Sequence, residues 1–154
     1  MDMPHKVAAF WRKHVETDAR FQPDKEQLYV FLLNMRCRLI GFELVTVGCL
    51  HTAYVYPPEV FRAAVAMGAA AVVLAHNHPT GDPSPSEADI VATRRLIRAG
   101  HVMQIDVRDH VIFSSPRQGR RVNYLSLSEL GYFYADDASE PVKQPGTPLP
   151  QLAA

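Results

Sequence analysis

A chain of 154 residues has room for one domain built around one hydrophobic core. Its 47% hydrophobic and 21% charged residues are an ordinary globular mixture. Sixteen basic and sixteen acidic side chains cancel, which excludes a global electrostatic pull toward nucleic acid or an anionic membrane.

In chain order, Met1 to Lys6 leads into no signal-like apolar run. Val7, Trp11 and Val15 recur every four residues and predict a helix to about Phe21. Pro23 and Asp24 break it. Leu28 to Leu33 reads as a buried strand, Asn34 to Arg36 as a turn, and Cys37 to Val47 as a second strand ending at Gly48 and pairing in an antiparallel hairpin. Cys37 and Cys49 form no CxxC pair, so buried free thiols and a reducing, cytoplasmic setting are expected. After an extended His51 to Tyr56, Pro57-Pro58 opens a helix that stops at Gly68. Ala70 to Ala75 predicts a central strand covered on both faces. Ala69 to Ala75 is too short to span a bilayer, so no membrane partner is expected.

His76 to Pro83 reads as a loop. Ser84-Pro85-Ser86-Glu87 then supplies a helix start, with Ser84 as the cap, proline at the first helical position and glutamate three residues on. Gly100 is expected to end this helix. Val102 to Val107 and Val111 to Phe113 predict two strands joined near Arg108-Asp109, and Ser126 to Gly131 a short helix. Two arginine groups, Arg94, Arg95 and Arg98, and Arg117, Arg120 and Arg121, read as solvated surface. From Ala135 the chain turns polar and proline-rich, the composition of a disordered tail. The expected organisation is an N-terminal helix over 1–24, one α/β domain with a mixed sheet over 25–134, and a tail over 135–154.

Chemistry concentrates between His76 and Asp89. Residues two apart in an extended segment point to the same side, so His76 and His78 can converge on one ion while Asn77 faces away. The Pro79 to Pro83 turn lets the next helix return, and Asp89 in its early turns can add a carboxylate oxygen. Two nitrogens and one oxygen leave a fourth position open, as catalytic zinc sites do, and no cysteine lies near to close it. The same ligands also admit Mn, Fe or Co. With Ser84 read as the cap, Ser86 is left without that job. Glu43 sits in the otherwise apolar Leu39 to Val47, where a carboxylate must be paired or neutralised. A structural salt bridge and a role facing a metal-activated water are both open for it.

Seven residues separate His78 from Ser86 and two separate Ser86 from Asp89. With a glutamate upstream, this resembles the JAMM motif of JAB/MPN metallopeptidases. Val72 to Pro83, Pro58 to Phe61 and Asp109 to Ile112 resemble the RadC-like branch, over roughly Glu26 to Tyr132. The resemblance implies an α/β/α sandwich with a mixed β-sheet, a JAB/MPN-like, cytidine-deaminase-like architecture. It implies one Zn2+ per chain on His76, His78 and Asp89, Glu43 as general acid/base, and Ser86 positioning the water or stabilising the oxyanion. The expected activity is zinc-dependent hydrolysis of an amide bond in a protein or peptide substrate.

Longer RadC-like proteins carry an N-terminal helix-hairpin-helix segment. Here one short helix precedes the sheet, so DNA association rests on the family label alone. The insertions with which eukaryotic deubiquitinases grip ubiquitin have no room between these elements. A nucleobase deaminase would need His-x-Glu and Pro-Cys-x-x-Cys, and a zincin HExxH; all are absent. The rival is non-catalytic: an MPN-type scaffold or a DNA-associated accessory module.

Overall fold

Five strands form one sheet in the order β2-β1-β3-β4-β5. The computed structural model describes residues 3–48, 55–114 and 124–134. The elements are α1 (Met3–Phe10), continued by a π-helical turn (Trp11–Val15), β1 (Gln27–Leu33), β2 (Leu39–Val47), α2 (Pro57–Ala66), β3 (Ala71–His78), α3 (Glu87–Met103), β4 (Asp106–Ser114), β5 (Tyr124–Ser126) and a 3-10 turn (Tyr132–Tyr134). β3 and β4 run parallel across the α3 crossover; the other three pairings are antiparallel. A mixed sheet with helices on both faces is the α/β arrangement that the resemblance implies.

β1 and β3 are central, and strand periodicity splits their side chains between two cores. Leu28, Val30, Leu32, Val72 and Leu74 meet Val60, Phe61 and Ala64 of α2 and Ala92 and Leu96 of α3. Tyr29, Phe31, Val73 and Ala75 meet Val7, Ala8, Trp11 and Val15 on the opposite face. The four-residue recurrence of Val7, Trp11 and Val15 is thus a buried stripe, although the helix begins at Met3 and closes at Val15.

Several boundaries differ from the sequence expectation for local reasons. The first hairpin's turn extends past Arg36, because Cys37 adopts a left-handed φ of 54° and donates its N–H to the Asn34 carbonyl. Cys37 is therefore an exposed free thiol, not a buried one. Ser86, not Ser84, caps α3: its hydroxyl accepts from the Asp89 N–H while the Asp89 carboxylate accepts from the Ser86 N–H. Two overlapping capping frames compete here, and the second prevails because its acidic member is drawn into a buried cluster. Gly100 does not end α3. The helix runs to Met103, Gln104 takes the left-handed position, and the N–H groups of Ile105 and Gln104 close a Schellman motif on the Gly100 and His101 carbonyls.

Arg108-Asp109 does not divide two strands. Val72 pairs with Val107 and Val73 with Asp109, so Arg108 is the extra residue of a bulge within one β4. Asp109 is buried and accepts from the Ser126 hydroxyl and the Ser128 N–H, which ties β4 to β5. Ser126 consequently ends a strand rather than starting a helix. Arg95 and Arg98 are exposed as expected, while Arg94 is partly buried. Cys49, most of the His51 to Tyr56 connection, the second arginine group and the tail from Ala135 lie outside the described residues. Among the described residues, no helix is long and apolar enough to cross a membrane.

Candidate metal centre

β3 continues through His76 and His78 rather than ending at Ala75. Its alternation carries both rings to the α3 side. Their Nε2 atoms stand 2.9 Å apart, with His76 fully buried. From the first turn of α3, Asp89 places Oδ1 3.4 Å from His76 Nε2 and Oδ2 3.3 Å from His78 Nε2. Glu26 joins them, its Oε1 3.5 Å from His76 Nε2 and 3.9 Å from His78 Nε2. One ligand atom from each of the four lies within 4.8 Å of all the others, and this is the one such group among the described residues.

Local structure delivers each member. After His78, Gly81 takes a φ of 86° and donates its N–H to the His78 carbonyl, reversing the chain toward α3. A left-handed residue at that turn suits glycine, which has no Cβ to clash. The capping box then holds the Asp89 carboxylate over the end of β3. Asn77, on the opposite face, accepts from the Gln27 N–H at 3.0 Å and donates to the Lys25 carbonyl at 2.9 Å. Its side chain brackets Glu26 from both sides and sets that residue level with His78.

The donor set fits a borderline divalent ion. His78 Nδ1 lies 2.8 Å from the Asp82 carbonyl, which can only accept, so Nδ1 carries a proton and Nε2 is the atom that turns inward, with a lone pair for a metal once its own proton is displaced. Two ring nitrogens at 2.9 Å need a proton or a cation between them. Ligand atoms around a tetrahedral zinc, each bonded at about 2.0–2.1 Å, stand roughly 3.3 Å apart. The contacts among His76, His78 and Asp89 run from 2.9 to 3.4 Å.

The electrostatics agree. Burial holds His76 well below the ordinary histidine pKa, reinforced by His110 and His78 against the pull of Asp89. Burial also opposes charge on His78, but the Asp89 hydrogen bond, the Asp82 carbonyl and the charges of Asp89 and Glu26 outweigh it and raise its pKa. Burial would raise Asp89; His78, His76 and both Ser86 hydrogen bonds overcome it and keep the carboxyl far below its usual range. Behind His76, burial lowers His110 to about 4, opposed by Asp89 and reinforced by His78.

Of the residues singled out in sequence, His76, His78 and Asp89 are brought together, with Ser86 beside them as the helix cap. Glu43 is not in the cluster. It is exposed on the edge strand β2, paired with Val30 and separated from β3 by the whole of β1. Its carboxylate is solvated, so the burial argument for it lapses. Glu26 is the additional carboxylate that the cluster contains. Composition hides Glu26, because it precedes β1 in an ordinary polar stretch. The signal lies in topology: β1 runs antiparallel to β3 with Leu28 opposite His76, so the acid two residues before Leu28 falls level with His78.

The family model of the RadC-like JAB domain matches residues 1–132. A UPF0758 protein of Caldanaerobacter subterraneus subsp. tengcongensis is 42% identical over 109 residues, 71% of this chain and 44% of its own length. One from Symbiobacterium thermophilum is 49% identical over 106 residues, 69% of this chain and 43% of its own. One from Methanococcoides burtonii is 41% identical over 108 residues, 70% of this chain and 44% of its own. The matched stretch thus spans less than half the length of each of these curated relatives. The match across residues 1–132 places the chain in the RadC-like JAB domain family.

Proposed function

We propose that this domain is a zinc-dependent hydrolase that cleaves an amide bond, peptide or isopeptide, in a protein or peptide substrate. The observation that supports it is the convergence of His76 Nε2, His78 Nε2 and the Asp89 carboxylate, with the Glu26 carboxylate slightly farther out. His76, His78 and Asp89 would hold the ion, one per chain. A bound zinc supplies a Lewis acid and lowers the pKa of water at its open position to about 7.

The chain's own groups then handle the protons. Glu26 accepts a proton from the attacking water as the new C–O bond forms at the carbonyl carbon. It gives that proton to the leaving nitrogen as the C–N bond breaks. Asn77 fixes the backbone on either side of Glu26, so its carboxylate is held in position before substrate arrives. Ser86 uses an oxygen lone pair to cap α3, which leaves its hydroxyl proton to be offered to a developing oxyanion. The exposed thiol of Cys37 suits a reducing, cytoplasmic setting.

The test pairs two glutamates. Glu26→Gln is expected to keep the fold and bound zinc while turnover of a cleavable peptide falls by about 10²–10⁴-fold, the usual contribution of a positioned general base. Glu43→Gln is expected to leave turnover unchanged. Elemental analysis and a melting curve accompany both. A chain that takes up no zinc, or undiminished turnover in Glu26→Gln, would sink the reading.

A further inference from the structure

Behind His76 runs a buried chain of hydrogen bonds that ends on a second candidate ligand. His76 Nδ1 lies 2.7 Å from His110 Nε2. His110 Nδ1 lies 2.6 Å from Thr93 Oγ1, and Thr93 Oγ1 lies 2.6 Å from the backbone carbonyl of Asp89, one helical turn earlier. All four residues are at most 2% exposed, so bulk solvent does not reach them. The bulge at Arg108 makes the geometry possible. Val107 faces α3, and without the extra residue the alternation would send His110 to the α1 side.

The direction of every bond in this chain follows from its last acceptor. A carbonyl oxygen only accepts, so the one proton of the Thr93 hydroxyl is committed to Asp89. The reverse orientation would leave two oxygens 2.6 Å apart with no proton between them. Thr93 Oγ1 must then accept from His110, which puts a proton on His110 Nδ1. The His110 ring is buried against Thr93 and His76, and among the described residues its two nitrogens meet no carboxylate within hydrogen-bond distance, so an imidazolium there would be costly. It is therefore neutral, and its Nε2 presents a lone pair. That lone pair accepts from His76 Nδ1–H, and the His76 Nε2 lone pair is left facing His78, Asp89 and Glu26.

We propose that Thr93 and His110 are positioning residues that fix His76 in the tautomer able to bind a metal, through a relay anchored on the backbone of Asp89. His78 gets the same setting directly, from the Asp82 carbonyl. His76 lies too deep for a loop carbonyl, and the side-chain relay takes that part. Partners of this kind behind a ligating histidine typically account for 10–100-fold in metal affinity. The relay also couples the two ligands: the helix turn that carries Asp89 orients the ring of His76.

The inference rests on the metal-site reading, so its test has one arm that needs no metal. Ring-nitrogen NMR shifts of the full, metal-free, 15N-histidine-labelled chain are expected to show the proton on Nδ1 of both His76 and His110. A proton on Nε2 of His76 overturns the proposal whatever any variant does, and that spectrum decides even where a variant fails to fold. The second arm measures zinc affinity by chelator competition. Thr93→Val and His110→Leu are expected to bind zinc 10–100-fold more weakly. Thr93→Ser, which keeps the hydroxyl, and His110→Gln, which keeps an acceptor facing His76, are expected to restore it. Affinity in Thr93→Val and His110→Leu equal to that of the unaltered chain overturns the proposal. An unaltered chain that binds no zinc but shows the Nδ1 tautomer fails the metal reading and leaves the relay standing.

Discussion

The two faces of the sheet are built on opposite principles, although the same strands supply both. Toward α1 aromatic and aliphatic side chains dominate, beside the buried, hydrogen-bonded Asn77 and Asp109: the Trp11 ring stacks on Phe113 at 4.4 Å, and Phe10 meets Phe31 and Phe42 edge-on. Toward α3 the apolar core of Leu28, Leu74 and Leu96 gives way, at the end of β3, to buried His76, His110, Thr93 and Asp89. The first face gains free energy by removing apolar surface from water. The second spends part of that gain on polar groups that water would otherwise solvate, and it can do so because each finds a partner. Stability and chemistry are thereby separated by one residue of strand register: Ala75 faces one way and His76 the other.

The largest test of that separation is Trp11→Ala. A buried tryptophan cut to alanine costs about 3–5 kcal/mol. For a domain of this size such a loss is a large share of the whole stability. If the faces are independent, zinc affinity measured below the new melting temperature should match the unaltered chain. A parallel loss of affinity would show that the aromatic face holds the ligands in place through β3.

The aromatic face and the ligands were not equally legible in sequence. The stripe of Val7, Trp11 and Val15 and the His-x-His spacing are local periodicities, and a chain can be read for those. Glu26, Thr93 and His110 depend on which strand lies beside which. Glu26 needs the antiparallel register of β1 on β3, and His110 needs a one-residue bulge that looks in sequence like a break between strands. Glu43 misled because an acid within apolar residues suggests burial, and β2 is an edge strand whose Glu43 faces water. Ser86 was hidden by a second capping frame two residues upstream, and only the tertiary pull on Asp89 decides between the two.

Between the faces in expected size stands Gly100→Ala. A Cβ built there lies 2.4 Å from the Ile105 carbonyl oxygen, 3.2 Å from Val107 and 3.3 Å from Phe61. The first contact is backbone and cannot rotate away, so the Schellman turn must open or α3 must shift. A cost of about 1–3 kcal/mol is expected, the usual range for overpacking. Unlike Trp11→Ala, this change lies on the site's own helix. Because α3 carries Asp89 and Thr93, zinc affinity should fall along with the melting temperature. Stability lost with affinity intact would mean that the first turns of α3 are held by the capping box alone.

The smallest expected effect lies at Glu16, a charged group at the end of the π-helical turn on the aromatic face. Its Oε1 is buried with no hydrogen-bond partner. Burial raises its pKa above 4.5, and the charge of Arg12 and a hydrogen bond with Trp11 only partly offset that. The sign follows directly. A carboxyl whose folded pKa is raised prefers to be neutral in the folded state. It costs nothing well below pH 4.5, where folded and unfolded chains are both protonated, and its penalty grows as pH rises from there and is complete above the folded pKa. Glu16→Gln removes the charge and keeps the shape. At pH 7 it should stabilise the chain by on the order of 0.5 kcal/mol, near 1–2 °C in melting temperature for a domain of this length. The gain should shrink as pH falls and vanish well below pH 4, where glutamate is itself neutral. A loss of stability at pH 7 would show that the Arg12 and Trp11 contacts outweigh burial, and that the aromatic face tolerates a charge in the way the α3 face does.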